Sequence, residues 1–281
     1  MRGASPDWKR APQDKDTLGF LRSRETYCVG AAARFLQDPD SCAPLWSLRD
    51  RAGVLRALLM HSKGTVFPVF QGRDIFLPPR FMARFLRKID IHALQGLKEE
   101  TVLLESGLSR LGLSAFDRID YDLMSLDRPP NPNSLHRGPS RLMVRSPEAS
   151  DLEELFHLQA LYEQEEVLPA GAEFFPAACR LSLESILTKE RILVAELEGR
   201  ILGKINTNAA SFSRYQIGGV YVLPEYRGLG IGSRLTAEFA RSLLASGKGV
   251  TLFVKKRNHS ARNVYRRIGF IAFADYRITY Y

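Results

Sequence analysis

The chain has 281 residues, of which 45% are hydrophobic and 25% charged, and its formal net charge at pH 7 is +9. This composition excludes a disordered or fibrous protein, and the length suits two domains of ordinary size. No apolar run approaches the ~20 residues that a membrane helix needs, and the first ten residues lack the apolar centre of a secretion signal.

The charge surplus is weak evidence for nucleic-acid binding, because the basic residues are spread over both halves of the chain. The three cysteines, Cys28, Cys42 and Cys179, lack the spacing of a metal site. Their odd number favours reduced thiols in a cytoplasmic protein. We therefore expect no metal, no nucleic acid and no membrane among the partners.

The first half has the element order of an α/β domain. Residues 1–16 are polar and predict a flexible N-terminus. The remaining pattern predicts a domain over residues 17–127. Its predicted elements are a helical region at 18–36, strands at 45–48, 54–60 and 65–70, a helix at 79–88, a short apolar piece at 91–96, a helix at 99–111 and a strand at 119–126.

Residues 128–140 contain four prolines and predict a stiff, extended linker. The second domain is therefore placed at residues 141–281. Its predicted elements are a strand at 141–145, helices at 150–161 and 174–187, a hairpin of 192–197 and 201–205, a strand at 217–223, a helix that follows it, a strand at 250–254 and a final strand at 276–281.

The most informative stretch joins the strand at 217–223 to the next helix. Residues 227–233 read Arg-Gly-Leu-Gly-Ile-Gly-Ser. Glycines permit a tight turn, and the free N–H groups at a helix start, with the helix dipole, favour an anion. The spacing matches neither a P-loop nor a dinucleotide fingerprint. On chemistry alone, the motif is a phosphate cradle, and a merely tight connection is the alternative.

Two motifs resemble those of one known family. Residues 224–233, Pro-Glu-Tyr-Arg-Gly-Leu-Gly-Ile-Gly-Ser, resemble the acetyl-CoA pyrophosphate motif of the GNAT N-acetyltransferase superfamily. Residues 258–270 resemble its second motif, Asn-x-x-Ala-x-x-x-Tyr-x-x-x-Gly-Phe. The two occur in the family's order, separated by one helix and one strand, and the resemblance covers residues 141–281.

The resemblance implies an α/β (α+β) GNAT fold, with a mixed, mostly antiparallel sheet flanked by helices. The first domain resembles, more loosely, the N-terminal domain of two-part GNAT proteins. It is interpreted as a smaller α/β domain of GNAT-like topology, and an unrelated α/β cap remains the alternative.

The implied activity is transfer of acetyl from acetyl-CoA, as co-substrate, to a primary amine by direct attack on the thioester. The acceptor would be a small molecule or a peptide. Tyr265 would be the general acid for the departing thiolate, with a packing residue as the alternative. The implied cofactor-binding residues are Val220, Tyr221, Val222, Arg227, Gly228, Leu229, Gly230, Ile231, Gly232, Ser233 and Asn258.

No general base is identified, because the strand predicted at 217–223, with Gln216 before it, and the strand at 250–254 carry no carboxylate. His259 and the acidic run at 163–166, with Glu173 nearby, are the candidates. A solvated helix end is an equal interpretation of the acidic run, and ordered water could also take the proton. A basic cluster around the second motif suits a polyanionic cofactor or a solvated helix face: Lys255, Lys256, Arg257, Arg262, Arg266 and Arg267.

Two other functions stay open. The missing strand carboxylate is compatible with a catalytically silent CoA-binding module that has a regulatory role or serves as an interaction module. An aminoacyl-transferring relative built from two such folds would need a tRNA site, which nothing in the sequence indicates. The first domain could shape the acceptor pocket or form a homodimer interface.

Overall fold

The structure is a computed structural model, and it describes residues 7–38, 40–42, 45–72, 74–169 and 171–281. The chain divides into two units, which are described separately. The first contains Met1–Asp122 and Ala274–Tyr281, and the second contains Leu123–Phe273. Within the described ranges, no helix combines the length and the apolar character that crossing a bilayer requires.

The first unit contains a sheet flanked by helices. Its sheet order is β1-β2-β3-β4-β5-β12, antiparallel except for β4 and β5, which are parallel. The elements are β1 (Trp8–Arg10), α1 (Lys15–Ser23), α2 (Val29–Gln37), β2 (Trp46–Arg49), β3 (Leu55–Ser62), β4 (Thr65–Phe70), α3 (Pro79–Leu86), β5 (Ala93–Leu97), α4 (Lys98–Ser109), the first part of β6 (Asp117–Leu126) and the last part of β12 (Ile271–Tyr280).

The N-terminal segment is more ordered than the sequence predicts. Trp8 is 0% exposed, stacks on Phe81 with ring centroids 4.9 Å apart, and donates its indole N–H to the Phe76 carbonyl at 2.9 Å. A single buried tryptophan supplies enough apolar area to fix a short polar strand. The predicted flexible region therefore differs from the structure over residues 8–16, and residues 1–6 lie outside the described residues.

The sheet strands of the second unit include β7-β8-β9-β10-β11, in this order, and the last part of β6 (residues 123–126), a strand that neighbours β11. From β7 to β11 the neighbours are antiparallel except β10 and β11. Its elements are α5 (Pro132–Leu135), β7 (Met143–Arg145), α6 (Leu152–Tyr162), a π-helical turn (Glu163–Val167), α7 (Pro176–Lys189), β8 (Ile192–Leu197), β9 (Arg200–Ala210), β10 (Arg214–Val222), α8 (Ile231–Leu244), β11 (Gly249–Lys255) and α9 (His259–Ile268).

The α8 helix carries the main apolar stripe of this unit. Leu235, Phe239 and Leu243 recur at helical spacing and are all buried in the core cluster. This spacing places the three side chains on one face, which covers the sheet. The glycine-rich turn that precedes the first residue of α8 lies at the surface.

The proline-rich segment is not an extended spacer. Residues 132–135 form α5, in which Pro132 takes the first helical position and Asn131 caps the helix by accepting from the Asn133 N–H at 3.1 Å. Asn131 also donates its backbone N–H to the Ile268 carbonyl at 2.8 Å. Proline suits the first turn of a helix, because the N–H it lacks would have no partner there.

The division between the units also differs from the predicted boundary at residues 128–140. It falls between Asp122 and Leu123, and residues 274–281 return to the first unit. In that unit Arg277 donates to Asp120 at 2.7 Å, and Thr279 donates its hydroxyl to Glu105 at 2.5 Å. These partners are distant in sequence, so local pattern could not assign the last strand to the first unit.

Candidate functional site

The site begins where two parallel strands separate. β10 and β11 are registered from Arg214–Gly249 to Ile217–Leu252. Beyond this point both strands continue, β10 to Val222 and β11 to Lys255. Separated strands leave backbone N–H and C=O groups that a ligand can pair with. Residues 220–222, expected to bind a cofactor arm through main-chain atoms, lie on this separated part of β10.

A glycine-rich turn joins β10 to α8. Gly228 and Gly230 have positive φ angles of 82° and 87°. Gly230 is the N-cap of α8 and provides no side-chain cap. Glycine adopts this backbone without steric cost, and the first N–H groups of the helix lack intrahelical partners. The helix dipole adds about half a positive charge there, so the turn fits a pyrophosphate group.

The other residues of the turn contribute mainly through their backbone. Ile231 and Ser233 are buried, and Ser233 Oγ has no hydrogen-bond partner among the described residues. Leu229 is half exposed. Arg227 donates its Nε–H to the Val222 carbonyl at 3.0 Å, which fixes the guanidinium across the end of β10.

The cradle is backed by the proline-rich segment. A Cβ atom added at Gly230 would lie 2.9 Å from the Gly138 nitrogen and 3.2 Å from Arg137 Cβ. By contrast, a Cβ atom added at Gly228 would meet nothing within 4 Å. Gly230 is therefore required by both its backbone angle and its neighbours, whereas Gly228 is required by its angle alone.

Tyr265 lies on α9 and is 7% exposed. Its ring meets Phe270 edge-on at 5.9 Å between centroids. Burial raises the pKa of the Tyr265 phenol well above its usual value, and the nearby Tyr162 and Glu166 raise it further. The phenol is therefore protonated at neutral pH, as a proton donor must be.

Asn258 has a structural role at the start of α9. Its Oδ1 accepts from the Ala261 N–H at 3.0 Å, which caps the helix. Its Nδ2 donates to Glu166 Oε1 at 3.3 Å. The side chain thus fixes the helix that carries Tyr265, and a ligand could reach it only by sharing or replacing one of these bonds.

The acidic run forms the π-helical turn after α6 and reaches both sides of the strand opening. Glu165 accepts from the Tyr221 hydroxyl at 2.5 Å and from Arg227 at 2.8 Å, on the β10 side. Glu166 pairs with Lys255 at 3.0 Å, on the β11 side. Burial opposes ionisation of Glu165, but these hydrogen bonds outweigh it and hold the pKa of the carboxyl below its usual value.

An open pocket of about 430 Å³ adjoins this turn, lined by Glu165, Glu166, Lys255, Arg257, Asn258 and His259. Both carboxylates and cations line it, so it suits a polar ligand. Glu173, the outlying member of the acidic run, is exposed. Among the described residues, no group of three or more His, Cys, Asp or Glu side chains could hold a metal ion.

A row of polar side chains on β9 was not predicted from the sequence. Lys204 and Asn206 are buried against the separated end of β10, and Lys204 donates to the Gly219 carbonyl. Two signals could have located them. Adjacent glycines inside a strand often mark a bulge, and Lys204, Asn206 and Asn208 alternate on one face of β9.

Part of the second unit is similar to a known family. Residues 150–270 match the model of the acetyltransferase (GNAT) family. An uncharacterized N-acetyltransferase of Archaeoglobus fulgidus is 36% identical over 84 residues, which cover 27% of this chain and 57% of that protein. The match therefore spans little more than half of the relative's length.

Solved structures resemble the whole chain at low identity. A Drosophila protein has a TM-score of 0.66 at 12% identity, with 99% of each chain covered. A GCN5-related N-acetyltransferase from Sphaerobacter thermophilus has a TM-score of 0.62 at 16% identity, covering 98% of this chain and 94% of its own. A tandem GNAT protein from the clavulanic acid biosynthesis pathway has a TM-score of 0.58 at 14% identity, with 98% of each chain covered. These likenesses confirm the predicted fold over both units.

Proposed function

We propose that the chain transfers acetyl from acetyl-CoA to a primary amine, because residues 150–270 match the model of the GNAT acetyltransferase family. The observation that carries the proposal is the turn with positive φ at Gly228 and Gly230, leading into the uncapped start of α8. This arrangement suits the pyrophosphate of a CoA thioester. Acetyl-CoA supplies the activated acetyl group, and the chain supplies orientation and proton transfer.

The geometry supports the following roles. The N–H groups at the start of α8 would hold the pyrophosphate, and the main chain of residues 220–222 would orient the thioester. Tyr265, protonated and buried, holds the proton that a departing thiolate requires. Much of the rate would come from holding the two reactants together.

The amine acceptor would enter the pocket beside Glu165, Glu166 and His259. Since Glu165 pairs with Arg227 and Glu166 with Lys255, the two carboxylates are already compensated by cations of the protein. A polar acceptor with charges of both signs suits such a lining better than a polycation. The acceptor's proton leaves to water or to a group of this pocket.

A catalytically silent CoA-binding module is the second candidate. It is favoured by the absence of any carboxylate on β10 and β11, both of which are fully described. Such a module would bind CoA and acetyl-CoA but release no thiol in the presence of any amine.

The proposal is tested by calorimetric titration of acetyl-CoA into wild type, Gly232→Asp and Gly232→Asn. A Cβ atom at Gly232 would meet only Val222 Cγ2, at 3.5 Å, so both variants fit. A carboxylate near a helix start stabilises the helix but repels an anion, whereas asparagine adds the same bulk without charge. We expect binding in wild type and Gly232→Asn, and its loss in Gly232→Asp.

Binding in wild type justifies a screen of amines for thiol release. Thiol release that depends on an added amine supports the enzyme. Binding without release from any amine class would favour the silent module. A folded wild type that binds no acetyl-CoA would overturn both functions.

A further inference from the structure

A lysine is buried inside the acetyltransferase domain. Lys204 on β9 is 0% exposed, and its ammonium donates to the Gly219 carbonyl at 3.1 Å and to Asn206 Oδ1 at 3.2 Å. It also lies 4.8 Å from the centre of the Tyr162 ring. A lysine is almost never fully buried unless its charge is compensated, so the burial of Lys204 requires an explanation.

The carbonyl that Lys204 holds belongs to a bulge. Gly218 is registered with Asn206, and Tyr221 is registered with Lys204. Two residues of β10, Gly219 and Val220, therefore lie opposite one residue of β9. A bulge leaves its extra residue outside the ladder and bends the strand, so its carbonyl needs another partner. Lys204 is that partner.

The side chains of β9 occupy the space that the two glycines leave. A Cβ atom added at Gly218 would lie 1.9 Å from Asn208 Nδ2. One added at Gly219, where φ is 58°, would lie 1.9 Å from Asn206 Oδ1 and 2.9 Å from Lys204 Nζ. The β10 bulge and the polar side chains of β9 are therefore packed against each other, so a change in one strand would disturb the other.

The ionisable groups around Lys204 come from four elements. They are Tyr162 at the end of α6, Glu163 in the π-helical turn, Cys179 on α7 and Tyr221, which lies directly opposite Lys204 on β10. Burial lowers the pKa of Lys204 to about 7, and the charges of Glu163 and Cys179 oppose this shift. Glu163 is itself held by Gln159, which donates to it at 2.7 Å.

We propose that Lys204 is a positioning residue for acetyl transfer: its ammonium holds the Gly219 carbonyl, and so fixes the main chain of residues 220–222 in the orientation that the thioester requires. The inference rests on the proposed function. Lys204 contacts the bulge rather than any reacting atom, so it acts through the strand. The charged ammonium forms a stronger hydrogen bond with the carbonyl than the neutral amine does.

Lys204→Met tests this role, because methionine keeps the length and bulk of the side chain while removing its charge and donors. The substitution also removes the cost of burying a charge, so the fold is expected to survive. Lys248→Met is the matched control. Lys248 also donates to a backbone carbonyl, that of Ser211 at 2.6 Å, and lies over a tyrosine ring, that of Tyr215, away from the bulge.

The first measurement is amide hydrogen exchange of residues 217–223 in the protein without ligand. We expect exchange in Lys204→Met to be faster by about tenfold or more, because a charge-assisted hydrogen bond is lost. Lys248→Met should match wild type in this segment. This measurement needs no cofactor, so it tests whether Lys204 stabilises the bulge even if the proposed function is wrong.

The second measurement is steady-state kinetics with calorimetry. In Lys204→Met we expect kcat to fall by about a hundredfold through misplacement of the thioester, while the Kd for CoA stays within about threefold. The ratio of wild-type to variant kcat should fall as pH rises through about 7, where Lys204 loses its proton. A merely structural lysine would not produce that pH dependence.

The outcomes separate the two ideas. Wild type that binds no acetyl-CoA overturns the proposed function and, with it, the catalytic purpose of the bulge. Wild type that is active, with unchanged exchange or unchanged kcat in Lys204→Met, overturns the role of Lys204 alone. Faster exchange together with a pH-dependent loss of kcat supports it.

Discussion

Glu165 and Arg227 form an ion pair, with 2.8 Å between Oε2 and Nη2, that joins the π-helical turn to the first residue of the glycine-rich cradle. Both side chains are well exposed, at 40% and 48%, so the pair contributes little to stability. Its effect is electrostatic instead: it keeps a negative charge close to the place where an anion would bind.

Replacing Glu165 by glutamine should therefore strengthen cofactor binding. Glutamine can still accept from Tyr221 and Arg227, but the negative charge is gone. We expect the Kd for acetyl-CoA to fall about two- to fivefold, the range that corresponds to a few tenths to 1 kcal/mol. The free energy of unfolding should change by no more than about 0.5 kcal/mol. Calorimetry and urea titration measure the two quantities.

Glu153→Gln is the control for this prediction. It removes the same charge from an exposed pair with Arg180, which joins α6 to α7. Its Kd for acetyl-CoA should equal that of wild type. Weaker binding in Glu165→Gln would show that the ion pair positions Arg227 for the cofactor rather than competing with it.

Replacing Tyr265 by phenylalanine should lower kcat by about 10²–10⁴-fold, the usual contribution of a general acid. The Kd for CoA should stay the same, because the phenol lies on α9 and not in the cradle. Since burial raises the pKa of Tyr265, wild-type activity should show no decline near pH 10, where an ordinary tyrosine ionises.

Tyr226→Phe is the matched control, since its hydroxyl contacts Arg200 at 3.3 Å outside the strand opening. It should leave kcat unchanged. An equal loss in both variants, or no loss in Tyr265→Phe, would count against Tyr265 as the acid.

Each chain should bind one equivalent of acetyl-CoA. In the first unit the helix that follows β4 is α3, which begins with Pro78 at the N-cap and Pro79 at the first helical position. Proline has no N–H, so this helix start lacks two of the donors that a phosphate cradle needs. Calorimetry should give a stoichiometry near one, and Gly232→Asp should abolish all binding. Residual binding in that variant would reveal a second site.

Gly228→Ala and Gly230→Ala should differ in stability. Both positions have positive φ, which costs an alanine about 1–2 kcal/mol. Only at Gly230 would the new Cβ press against Gly138 and Arg137. We expect Gly230→Ala to lose about 1–3 kcal/mol more than Gly228→Ala in urea titration, through overpacking. Equal losses would mean that the segment around Gly138 can move away from the new Cβ atom without a loss of folding free energy.

The stability of the domain should depend on pH through Lys204. Its pKa is about 7 in the folded state, below the ordinary value of 10.5 expected for the unfolded chain. Between these values the unfolded state binds more protons, so wild type gains stability relative to Lys204→Met as pH rises from 7 to 10.5. Below pH 7 the full cost of the buried charge is present and the difference is constant. Urea titrations of both proteins across pH 6–10.5 measure it.

The sequence predicted the parts of the site that local pattern encodes. The cradle and α8 lie where the spacing of glycines and apolar residues indicated, because turn and helix preferences depend on near neighbours. The predicted roles of Tyr265, Asn258 and the cradle residues remain predictions. The structure adds the contacts of the acidic turn, in which Glu165 accepts from Arg227 and Glu166 accepts from Asn258.

The features that the sequence analysis missed depend on distant partners. Lys204 reads as an exposed residue of a hairpin strand, and only the β10 bulge explains its burial. The proline-rich segment reads as a spacer because its contacts, such as Asn131 to Ile268, are far away in sequence. Trp8 gave no sign of a strand, since its partners lie on β2 and α3.

The return of residues 274–281 to the first unit has a consequence for biosynthesis. The strand that pairs with β5 leaves the ribosome only after the whole second unit has been made. Because domains generally fold as units during synthesis, the second unit can reach its native state first. The first unit, although encoded earlier, keeps the edge of β5 unpaired until residues 276–280 have been translated.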